Sequence, residues 1–226
     1  MKKIIAAVCG IMLMVQGAAY AEVQRSQVAN VVSIRSSFDY RDPVLMQEYL
    51  QKKAQQEAQK NQKQQGEKDE KEQEKLIEPP AMFHIYMNND RFYDRDKDDA
   101  GKYTSRVDIA FSSHDRERNY IFDKDCAPYL LVRTGSDETV LKFKKFKFDN
   151  PYWISFALTK EDIAVLKDAD SVTAILPEAE DDMYSYNKKK ERIEKDDYKK
   201  GMNVREMKYD IPDYALQEWK KVLADL

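Results

Sequence analysis

The sequence predicts a mainly β fold with short helices, in the form of an antiparallel β-sandwich or open barrel with one crossover helix. A polar helical or disordered spacer precedes this domain, and a charged tail and an amphipathic C-terminal helix follow it. Three observations carry the prediction. Short runs of alternating apolar residues recur between Met82 and Leu176, separated by polar turns. Residues 42–80 are rich in Gln, Lys and Glu and lack a sustained apolar stripe. Near the C-terminus, Leu216, Trp219, Leu223 and Leu226 recur at helical spacing.

The chain opens like an export leader. Lys2 and Lys3 precede an apolar run from Ile4 to Val15, and Ala19-Tyr20-Ala21 fits a small-x-small cleavage site. The run is too short for an ordinary membrane span. Residues 1–21 are therefore read as a signal peptide, with a mature chain from Glu22 that is periplasmic or secreted and has no stable membrane span. Of the 38 basic residues, 36 remain against 41 acidic ones after loss of Lys2 and Lys3, a net charge of −5. That balance gives no general attraction to nucleic acid or anionic lipid.

Residues 22–80 form an N-terminal lead and spacer. Val28, Val31, Val32 and Ile34 suit either a docking strand or a mobile lead. Asp42-Pro43 is a helix start, with Asp as cap and Pro at the first helical position. The helix is expected to fray near Gln65, because its apolar positions end after Ala58. Pro79-Pro80 marks the domain boundary.

Residues 81–177 are the expected β-rich domain. Phe83, Ile85 and Met87 define a first strand over residues 82–88, followed by a polar loop from Asn89 to Tyr103. Val107, Ile109 and Phe111 alternate with Arg106, Asp108 and Ala110, as in a half-buried strand with one wet face. A brief strand at Tyr120 and Phe122 and another over residues 129–133 precede the turn at Thr134-Gly135-Ser136-Asp137. Leu141 and Phe143 fall out of phase with Phe146 and Phe148, which predicts one strand with a bulge at Lys144-Lys145. Asp149-Asn150-Pro151 breaks the run. Tyr152, Ile154, Phe156 and Leu158 then share one face, and Trp153, Ser155 and Ala157 the other. Thr159 and Asp162 make a capping box for a short helix near Ile163, Val165 and Leu166. That helix is expected to carry the chain from one sheet to the other. Val172, Ala174 and Leu176 resume the alternation, and Pro177 closes it.

Residues 178–226 comprise an acidic cluster, a charged stretch over residues 188–200 read as an exposed helix or disordered segment, and a helix introduced by Pro212-Asp213. The apolar stripe of that helix either docks on its own domain or lies in a partner's groove.

The chemistry-bearing residues give no catalytic set. Asp94, Asp96 and Asp98 alternate like calcium ligands, but an EF-hand needs Gly where Asp99 stands and Glu where Ser105 stands. A solvated loop is expected in preference to a calcium site. Ser113-His114-Asp115 contains triad residue types, but adjacency does not bring side chains together. Cys126 is the single cysteine of the mature chain, so it forms no intramolecular disulfide. Its acidic neighbours favour the neutral thiol. No phosphate-binding loop or dinucleotide fingerprint is present, and no cofactor is expected. The lysines at 142, 144, 145 and 147 read as a solubilising face.

These readings predict an exported, non-enzymatic binding or interaction protein of the bacterial envelope, whose partner is a protein or envelope component. The candidate partner-binding residues are Trp153, Leu216, Trp219 and Leu223. The alternative is an envelope glycan or peptide hydrolase using unidentified carboxylates, which a deep pocket lined by two converging carboxylates, or by His84 or His114, would favour and a shallow polar surface would count against.

Overall fold

Alternating side chains sort the chain into two antiparallel sheets that share one core. The structure, a computed structural model, describes residues 21–28, 31–41, 44, 46–52, 54–55, 81–93 and 103–224. The expected leader up to residue 20, the spacer beyond residue 55 and the loop at Asp94, Asp96 and Asp98 lie outside the described residues.

The strands are β1 (Ala21–Val28), β2 (Val31–Tyr40), β3 (Phe83–Tyr93), β4 (Tyr103–Ser112), β5 (Tyr129–Thr134), β6 (Asp137–Leu141), β7 (Lys145–Asn150), β8 (Trp153–Ala157), β9 (Ser171–Ala179), β10 (Tyr184–Asn187), β11 (Arg192–Lys195) and β12 (Val204–Ile211). Helical residues 44, 46–52 and 54–55 form α1. The other helices are α2 (Lys160–Asp168) and α3 (Asp213–Ala224). A six-stranded sheet runs β1-β2-β3-β4-β8-β7, a four-stranded sheet runs β12-β9-β5-β6, and β10 pairs with β11.

The helix α2 leaves β8 in one sheet and delivers the chain to β9 in the other, as expected. Thr159 Oγ1 accepts from the Asp162 backbone at 3.1 Å, and Asp162 Oδ2 accepts from the Thr159 backbone at 2.8 Å. Two N–H groups that the first turn leaves without helical partners are thereby bonded.

One core cluster draws on both sheets and on α3. It contains Phe38, Ile85, Ile109 and Ile154 from the larger sheet, and Leu130, Val172 and Ile211 from the smaller. Aromatic rings knit the sheets together, with Phe83 of β3 lying 5.0 Å from Tyr40 of β2 and 4.8 Å from Tyr209 of β12 between ring centroids. The terminal helix packs on β1, β2, β3, β9 and α2, and Asn89 Nδ2 donates to the Val222 carbonyl at 2.9 Å.

Several local expectations are corrected. The run from Leu141 to Phe148 is not one strand. Residues 142–144 cross from β6 in the smaller sheet to β7 in the larger, and the register shift falls between Phe146 and Phe148. Phe143, in the crossing, stacks on Phe156 at 5.2 Å, and this contact explains why an apolar residue stands between lysines there. The strand β3 runs on to Tyr93 because β2 and β4 flank it and satisfy its backbone groups. The strand β9 continues through Pro177 to Ala179, where the Ile121 N–H bonds the Pro177 carbonyl at 2.8 Å. Tyr120 makes an isolated bridge to Glu178 in place of the brief strand expected there. The charged stretch at 188–200 is partly the hairpin β10–β11, pinned by buried Lys195, whose Nζ donates to the Tyr120 carbonyl at 2.5 Å. The folded unit thus extends on both sides of the span 81–177, through β1–β2 before it and β10–β12 after it.

Candidate functional site

The outward face of the six-stranded sheet carries a connected polar network, and the strand register builds it. Period-two alternation turns Phe83, Ile85 and Met87 of β3 inward and leaves His84, Tyr86, Asn88 and Asp90 outward. On β4, Val107, Ile109 and Phe111 point in, while Arg106, Asp108, Ala110 and Ser112 point out. Pairing aligns these residues in rows across the sheet. Ser33, Asp90 and Arg106 form one row, and Arg35, Asn88 and Asp108 the next. Ser37, Tyr86, Ala110, Ser155 and Phe148 form a third, and Asp39, His84, Ser112 and Trp153 a fourth. The small side chains of Ala110 and Ser155 sit between large neighbours. Their size opens a cup of about 530 Å³ that Arg35, Asp90, Asp108, Lys147, Tyr86 and Trp153 help to line.

Charged groups at the cup are tied to one another. Asp90 Oδ1 accepts from Ser33 Oγ at 2.5 Å, and its Oδ2 accepts from Asn88 Nδ2 at 2.8 Å and Arg106 Nη2 at 3.4 Å. Asp108 Oδ2 accepts from Lys147 Nζ at 2.6 Å and from Arg106 Nε at 3.2 Å. Asp108 Oδ1 is buried and has no hydrogen-bond partner among the described residues. Arg35 Nε donates to Asn88 Oδ1 at 3.0 Å. On the face of β4 expected to be wet, Arg106 is exposed, while Asp108, Ala110 and Ser112 are buried.

Lys147 reaches Asp108 through the bulge in β7. The extra residue brings Phe148 opposite Ser155 on the outward face, where its ring lies 5.4 Å from Trp153. At the other end of the rows, His84 Nδ1 pairs with Asp39 Oδ1 at 2.8 Å. This bond, opposed by burial, holds the Asp39 carboxyl below the usual range. Trp153 and Tyr86 also line a second cavity of about 370 Å³ with His114, Asn150 and Tyr152, so the cup continues towards the β7–β8 turn.

The residues singled out by sequence divide between core and rim. Leu216, Trp219 and Leu223 are buried in the shared core, so the stripe of α3 docks on its own domain. Trp153 is 37% exposed on the rim of the cup. Ser113, His114 and Asp115 form no triad. Ser113 Oγ donates to the Met82 carbonyl at 2.5 Å, while His114 stacks on Tyr152 at 5.4 Å. Cys126 is half-buried, and burial, then the Asp123 and Glu206 carboxylates, pushes its thiol up. Among the described residues no group of His, Cys, Asp and Glu is placed to hold a metal ion.

Asp90, Arg106, Asp108 and Lys147 were missed by sequence reasoning. The available signal was the alternation of Asn88 with Asp90, and of Arg106 with Asp108, opposite apolar residues. It becomes a site only when β3 pairs with β4.

No protein-family model matches the chain, and no curated protein or solved structure is matched by it.

Proposed function

We propose that the protein is an exported, non-enzymatic binding protein of the bacterial envelope, periplasmic or secreted, and that the cup is its binding surface. Export rests on the leader-like segment ending at Ala21. Among the described residues, no helix is long and apolar enough to cross a membrane.

The observation that carries the proposal is the network of Asp90, Arg106, Asp108 and Lys147 beneath the rim of Tyr86 and Trp153. Concave sites with a few convergent polar groups and aromatic walls suit small-ligand recognition. The carboxylates favour binding over hydrolysis. Two-carboxylate hydrolysis needs one acid to donate and one carboxylate to attack or activate water. Both oxygens of Asp90 are engaged by protein donors, and so is one oxygen of Asp108. Held by Ser33, Asn88, Arg106 and Lys147, these carboxylates suit fixed acceptors, and Asp108 Oδ1 is the one of their oxygens without a protein donor among the described residues.

The test is retention of solubilised envelope material by the immobilised mature chain. The proposal expects retention by the native protein and its loss in the Trp153→Ala/Asp108→Asn double variant. No retention, together with turnover of cell-wall glycan or peptide that Asp108→Asn abolishes, would support the hydrolase instead.

A further inference from the structure

We infer that the cup and the adjoining cavity form one extended subsite for an oligosaccharide, with a sugar ring seated at Trp153 and Tyr86. The inference rests on the proposed binding role of the same face and assigns its ligand class.

The first argument is charge. The cup presents Arg35, Arg106 and Lys147 beside Asp90 and Asp108. A polyanion would meet the two carboxylates, and a polycation would meet the three basic groups. A polyhydroxylated ligand meets both, because each hydroxyl donates and accepts. Its donors match the buried Asp108 Oδ1, which has no partner among the described residues, and its acceptors match the surrounding N–H groups. The Asp108 side chain is only 9% exposed, and Arg106 and Lys147 on its other oxygen are 49% and 33% exposed. Either long side chain can turn a donor towards a ligand hydroxyl, and contact with Oδ1 requires a side chain around it to move.

The second argument is shape. Flat aromatic surfaces at the mouth of a polar cup suit the C–H face of a pyranose ring, which is apolar while its edge is hydroxylated. Phe148 beside Trp153 enlarges that surface, and Phe148, Tyr86 and Trp153 are among the large hydrophobic residues left exposed. The two cavities share Tyr86 and Trp153, and their volumes of about 530 and about 370 Å³ exceed what one sugar ring fills. A chain of linked sugars spans them.

The experiment uses the mature chain and peptide-free glycan strands prepared from peptidoglycan, with the monosaccharide N-acetylglucosamine and the free stem peptide as comparisons. Binding is read by calorimetry, and thermal melting checks that each variant folds. Glycan strands are expected to bind at least about tenfold tighter than the monosaccharide or the stem peptide, a difference of ~1.4 kcal/mol. Trp153→Ala and Asp108→Asn should each weaken that binding by about tenfold or more while melting remains cooperative. Glycan binding that neither variant changes would overturn the inference. So would stem-peptide binding in place of glycan binding. If the native chain retains envelope material but binds no glycan, the ligand class is wrong and the binding role stands. If it retains nothing and binds nothing, both fail.

Discussion

Lys147 Nζ lies 2.6 Å from Asp108 Oδ2, and a register shift in β7 between Phe146 and Phe148 is what brings the lysine there. Four lysines in the stretch from Lys142 to Lys147 look interchangeable in sequence, yet this one closes a polar network over a buried carboxylate. Replacing it with methionine keeps the stem and removes the charge. Lys147→Met should lower unfolding free energy by about 1 kcal/mol, since Arg106 still holds Asp108 and the lysine is partly solvated. Lys144→Met, at an exposed position, should change it by less than about 0.5 kcal/mol. Urea denaturation of the two variants measures the contrast.

The buried tryptophan of α3 and the rim tryptophan of β8 should behave in opposite ways. Trp219 is fully buried, so Trp219→Ala should cost about 3–5 kcal/mol through lost burial and the cavity left behind. Trp153→Ala should cost less, about 2 kcal/mol, because 37% of the residue is already in water. Equal losses in denaturant melts would contradict the placement of α3 in the core.

These contrasts show what a sequence can and cannot disclose. The class of fold, the crossover through α2 and the inward stripe of α3 are local: each is written in alternation, capping or helical spacing within a few residues. The capping box at Thr159 and Asp162 is an example. The cup is non-local. Asn88 meets Arg35 and Asp108 only through pairing between strands distant in the chain. The bulge expected at Lys144-Lys145 is instead a crossing at residues 142–144 followed by a register shift between Phe146 and Phe148, because a chain changing sheets and a bulged strand leave the same phase shift in apolar residues. The strand β12 carries Met207, Tyr209 and Ile211 in alternation, but its charged neighbours resemble a solvated tail.

The helix cap gives a sharper local test. Thr159→Ala removes the acceptor for the Asp162 N–H and should cost about 1 kcal/mol. Thr159→Ser keeps the oxygen and should recover most of the loss. A chemical melt that does not separate the two variants would count against the capping box.

Burial pushes the Lys195 ammonium down to about 8, against 10.5 for an ordinary lysine. Below pH 8 both the folded and unfolded chains carry the proton, and the cost of burying the charge is fully present. Between about 8 and 10.5 the unfolded chain holds more protons, so this group's contribution to stability rises with pH. Tyr184 and Tyr214, pushed up to about 12, act oppositely above pH 10, where unfolded tyrosines ionise first. The unfolding free energy of the native protein should therefore gain on that of Lys195→Met between pH 7.5 and pH 9.5. A difference that stays constant over that interval would show that Lys195 does not titrate as described.

The most direct measurement exploits the two tryptophans of the chain, one on the cup and one in the core. Their indole N–H groups give two separate nuclear magnetic resonance signals, assignable through Trp153→Phe. On titration with peptide-free glycan strands, the Trp153 signal should shift and saturate while that of Trp219 stays in place. If the Trp153 signal does not move, or moves only together with that of Trp219, the outward face of the six-stranded sheet is not the binding surface.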